Sequence, residues 1–174
     1  MTQASSIMLG RGEIRIADSQ TYEGNGDPAL TSSHSAGQAE ECALNNELEF
    51  KTKRPVNNLS AVKSILTKNE LYLQIILMEA TQKNLNMLLT GNRNSGDFFV
   101  GGNDFAVEHR VEVRFVYPDG VSTLTLVLPK CKIVETSDLN LVSLSEPSKP
   151  AFTFQSFPID NATWNKKLGK AVFS

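Results

Sequence analysis

The stretch from Asn69 to Gly91, NELYLQIILMEATQKNLNMLLTG, constrains the fold more than any other part of the chain. From Glu70 to Glu79 it alternates with period 2. Leu71, Leu73, Ile75 and Leu77 fall on one side of a strand, and Tyr72, Gln74, Ile76 and Met78 on the other. A strand apolar on much of both faces needs cover on both, so it belongs in the middle of a sandwich or beneath a neighbouring element. From Thr81 the period changes. Leu85, Leu88 and Leu89 share a helical stripe, Thr81 suits the N-cap, and Gly91 stands where a residue of positive φ ends a helix. The segment predicts a strand running directly into one short α-helix.

The remaining pattern is dominated by strands. Glu13 to Ile16 alternates as a short first strand, and Asp18 to Gln38 follows as a long polar loop rich in Ser, Thr, Gly, Asn and Asp, with the turn signal GNGDP. Loops of that length inside a compact domain tend to have a job or to become ordered against a partner. His34 lies within it, with no second ligand-type residue at metal-binding spacing, and reads as a solvated loop histidine. A second strand is expected from Leu44 to Arg54, with Leu44, Leu48 and Phe50 on one face and Glu47, Glu49, Lys51 and Lys53 on the other. Pro55 ends it, and the connection from Pro55 to Lys68 is far longer than a hairpin needs, with Val62, Ile65 and Leu66 permitting a helical turn or two.

The strongest hairpin signal lies further on. Val107, His109, Val111, Val113 and Phe115 alternate with Glu108, Arg110, Glu112 and Arg114; Tyr117-Pro118-Asp119-Gly120 turns the chain, and VSTLTLVLP returns. The row Glu108, Arg110, Glu112, Arg114 reads as a solvated face, and His109 sides with the valines as a buried or interface residue. Cys131 reads as a small core hydrophobe, PAFTFQSFPI as a further strand, and AVFS closes the chain after Trp164.

With 174 residues, of which 40% are hydrophobic, the chain has the size of one domain with a proper core, 1–174. The formal charge of −2 supplies none of the basic field by which proteins grip nucleic acid through its phosphates. Two cysteines, Cys42 and Cys131, make no disulfide framework and suit a reducing compartment. The N-terminus lacks the pattern of a cleaved leader, and no run approaches the ~20 apolar residues of a membrane span, so a soluble, unprocessed chain is expected. No nucleophile motif, metal-ligand spacing, dinucleotide fingerprint or phosphate-binding loop is present, and the glycines of GNRNSGDFFVGGN read as turn residues. We therefore expect no catalytic, cofactor-binding or metal residues, no cofactor and no enzyme activity.

LGRGEIRIA near the N-terminus, the run ELYLQIILMEATQKNLNMLLTG with its Thr81, Asn84, Leu85 and Gly91, the hairpin strand VEVRFVYPDG and the closing WNKKLGKAVFS together resemble the major tail tube protein of long-tailed bacteriophages. The likeness covers nearly the whole chain and is one of pattern and order. It implies an all-β, β-sandwich or barrel-like tail tube fold with one short α-helix, assembling into hexameric rings. Those rings stack into the tube through which DNA is ejected, in a virion tail assembled in the host cytoplasm. Implied partners are further copies of the chain and tape-measure, sheath, baseplate or terminator proteins; DNA would transit without specific binding, and no membrane would be involved. In such a ring, strands 44–54, 70–79, 107–117 and 121–129 would form the inner sheet, with Glu47, Glu49, Lys51, Lys53, Glu108, Arg110, Glu112 and Arg114 facing the lumen. The connection at about 55–68 would project from the rim and stack rings through Val56, Leu59, Val62, Ile65 and Leu66. A tube protein of a type VI secretion or tailocin-like injection apparatus is the alternative. A carbohydrate-binding β-sandwich is weaker, since the chain scatters one Trp and three Tyr rather than clustering them.

Overall fold

The structure, a computed structural model, describes residues 12–18, 28–53, 63–79, 81, 108–136, 149–160 and 163–174. Seven strands run along it: β1 Gly12–Asp18, β2 Ser35–Lys53, β3 Lys63–Leu77, β4 His109–Val116, β5 Thr123–Thr136, β6 Ala151–Ser156 and β7 Lys170–Phe173. Every pairing is antiparallel, in the order β4-β1-β2-β3-β6-β5-β7, and β4 also pairs with β5. That extra pairing joins the two ends of the row β4-β1-β2-β3-β6-β5 and makes a closed barrel, which leaves β7 as an appended edge strand on β5. Closure removes the unpaired edges that an open sheet of these strands would carry.

The barrel is filled by the apolar row of each strand. Ile14 and Ile16 from β1, Leu73, Ile75 and Leu77 from β3, Val111 and Val113 from β4, Leu128 and Cys131 from β5, and Phe152 and Phe154 from β6 form one buried cluster. Full burial of each large side chain stabilises the fold by about 1.5–3 kcal/mol. The period-2 reading of 71–77 places the interior row correctly. His109 shares this interior, edge-on to Phe154 with ring centroids 6.5 Å apart, and the Cys131 thiol donates to the His109 carbonyl at 3.2 Å. Burial pushes the Cys131 thiol pKa well up and keeps it neutral. Trp164, Val127 and Ile159 form a second small cluster under the C-terminal segment.

The hairpin from β4 to β5 forms as its residues demand. Gly120 adopts φ +70°, its N–H donates to the Tyr117 carbonyl at 2.9 Å, and the Asp119 carboxylate accepts the Val121 and Ser122 N–H groups. The Ser122 hydroxyl and these two amides hold the Asp119 pKa below the ordinary carboxylate value.

Three expectations need correction. The polar stretch expected as loop to Gln38 contributes a 3-10 turn, Ser32–His34, and then the start of β2. Gly37, at φ +114°, sits at a β-bulge where Ile14 pairs with Gly37 and Arg15 with Ser35. A ladder is held by backbone groups, so a run of Ser, Gly and Gln can form one when a partner strand is supplied. His34 is half-buried in that turn, with its Nδ1 3.0 Å from the Thr31 hydroxyl oxygen. Secondly, β3 begins at Lys63 rather than Glu70, so Ile65 and Leu66 belong to a strand and the β2–β3 connection is shorter than 55–68. Thirdly, Arg110 and Glu112 are buried as an ion pair rather than solvated. The helix expected after Thr81 lies outside the described residues.

Candidate assembly surface

β2 and β3 are much longer than the barrel needs. β1 pairs with β2 from Ser35 to Ala39, and β6 pairs with β3 from Leu71 to Ile76, whereas β2 and β3 pair with each other out to Lys53 and Lys63. The excess is a two-stranded ribbon that leaves the barrel with neither outer edge paired among the described residues. Its sides follow from strand alternation and the register Glu47↔Glu70, Leu48↔Asn69, Phe50↔Leu66.

One face continues the barrel's interior row outward. Cys42 still packs against the core, and burial pushes its thiol pKa up to about 11. Beyond it on the same face, Leu44, Leu48, Phe50 and Leu66 are 50%, 51%, 57% and 46% exposed. Single exposed apolar residues are ordinary, but four on one face of a ribbon make a candidate contact surface.

The other face is charged. Lys68 Nζ lies 3.0 Å from both Glu47 and Glu70, and the Tyr72 hydroxyl donates to Glu70. Glu70 first, then Glu47, raise the Lys68 pKa, while Tyr72 and Lys68 lower that of Glu70. Towards the barrel this face forms an open trough of about 520 Å³ lined by Ala43, Asn45, Glu47, Tyr72, Gln74, Val134 and Thr153.

The residues singled out from the sequence do not all meet. Glu47 and Glu49 are exposed on the ribbon's charged face, and the backbones of Lys51 and Lys53 continue β2 opposite Ile65 and Lys63. Leu66 is on the apolar face; Val56, Leu59 and Val62 lie outside the described residues. On β4, Arg114 is exposed opposite Glu13, and Glu108, just before β4, is half-buried between Lys130 Nζ at 2.8 Å and Lys132 Nζ at 3.4 Å. Arg110 donates from Nε and a terminal nitrogen to Glu112 Oε1 at 3.0 and 2.8 Å, with both side chains at most 3% exposed.

The chain before the 3-10 turn meets this pair at Glu112. The Leu30 N–H donates to Glu112 Oε2 at 3.0 Å, and the Leu30 carbonyl accepts from Arg15 at 2.6 Å. Arg15 in turn holds Glu13 at 2.8 Å and keeps its pKa below the usual carboxylate range. The alternating charges of β1 and β4 are thus complementary across the ladder, Glu13 opposite Arg114 and Arg15 opposite Glu112. Alternation alone could not reveal the segment that meets them. Sequence reading also missed Leu30, 2% exposed, whose one signal was being a lone leucine in a polar stretch.

Among the described residues no group of three His, Cys, Asp or Glu side chains is placed to hold a metal ion, and no helix is long and apolar enough to cross a membrane. No family model matches the chain, and no curated protein does. Among solved structures, a chain in the cryo-EM structure of the anti-feeding prophage (AFP) baseplate, 6-fold symmetrised, is similar to it. The match covers 99% of this chain and 97% of that one, at 13% identity and a TM-score of 0.46, a likeness too weak to transfer fold or function.

Proposed function

We propose that this chain is a structural subunit of a phage tail or a phage-like injection apparatus, assembling with copies of itself into rings that stack as a tube. The observation that carries this reading is the β2–β3 ribbon: two edges unpaired among the described residues and an exposed apolar row at Leu44, Leu48, Phe50 and Leu66, attached to a closed barrel. The order of sequence features shared with tail tube proteins supports it. The rings would be hexameric, and the ribbon with its tip, Val56, Leu59, Val62, Ile65 and Leu66, would meet the next ring. The charged face with Glu47 and Glu49 would line the lumen, joined by Lys51 and Lys53 and by Glu108 and Arg114 where β4 contributes. Arg110 and Glu112 play no part there, being buried.

A lumen of mixed, locally paired charge such as Lys68 with Glu47 and Glu70 would let a polyanion pass without gripping it. A tailocin-like or type VI tube would use the same surfaces with a different cargo. Tape-measure, sheath, baseplate and terminator proteins are the further partners this role would bring. Negative-stain microscopy of the purified chain over a concentration series, with and without preformed seeds, tests the reading. Rings or tubes are expected. A protein that stays monomeric in every condition overturns it.

A further inference from the structure

We draw no further inference here: the strongest candidate, the exposed apolar patch at the barrel end where β7 finishes beside the β4–β5 hairpin, with Val121 82% and Phe173 70% exposed, carries none because nothing in the structure shows what covers it.

Discussion

Glu112 and Leu30 lie 82 residues apart, yet the Leu30 N–H donates to Glu112 Oε2 at 3.0 Å where the Glu112 side chain is 3% exposed. This bond and the Arg15 bond to the Leu30 carbonyl bind both polar groups of one peptide residue to β1 and β4. The polar chain before β2 is thereby fastened across the barrel. Glu112→Ala should cost about 1–3 kcal/mol in urea unfolding, because it leaves the Leu30 N–H buried without its acceptor.

The apolar face of the ribbon should matter to assembly and not to the monomer. Leu48→Asp combined with Phe50→Asp alters side chains that are 51% and 57% exposed, so folding free energy should change by no more than about 0.5 kcal/mol per site. Under the proposed function the variant should form no tubes. Thermal melting and microscopy on the same sample separate the two effects.

Stability should fall on the acid side through Glu108. Lys130 first, and Lys132 after it, hold its folded pKa below the ordinary value of about 4.3. A carboxylate shifted in that direction contributes fully above its unfolded pKa and loses its contribution as pH drops through the folded one. Between pH 6 and pH 3 the native protein should therefore lose more stability than Glu108→Gln, by about 0.2–1 kcal/mol for so exposed a pair. Equal pH profiles would show that the lysines do nothing for Glu108 in solution.

Two glycines should respond differently to alanine. At Gly120 a Cβ meets nothing within 4 Å, so only the left-handed backbone at φ +70° opposes it, at about 1–2 kcal/mol. At Gly12 a Cβ would stand 2.9 Å from Phe115 Cε1 and 3.4 Å from Val113 Cγ1, so the aromatic ring must move. Gly12→Ala should perturb the Phe115 ring resonances, and Gly120→Ala should leave them in place.

The sequence by itself determined the elements whose side chains face two different solvents. The interior rows Leu71 to Leu77, Val111 to Val113, and Phe152 with Phe154 were legible because a strand with one buried side alternates with period 2. So was the β4–β5 turn, since Asp119 and Gly120 carry the chemistry that turn requires. Tertiary structure decided everything that depends on which backbone lies next to which. Ser35 to Gln38 and Lys63 to Asn69 are strand because β1 and β2 offer them hydrogen-bond partners, a property no polar residue announces. Barrel closure through β1 and β4, and the bond of Leu30 to Glu112, are contacts between segments far apart in the sequence, and the ribbon's edges are unpaired among the described residues. Local pattern carries the direction of each side chain, and it does not carry what another part of the chain brings to meet it.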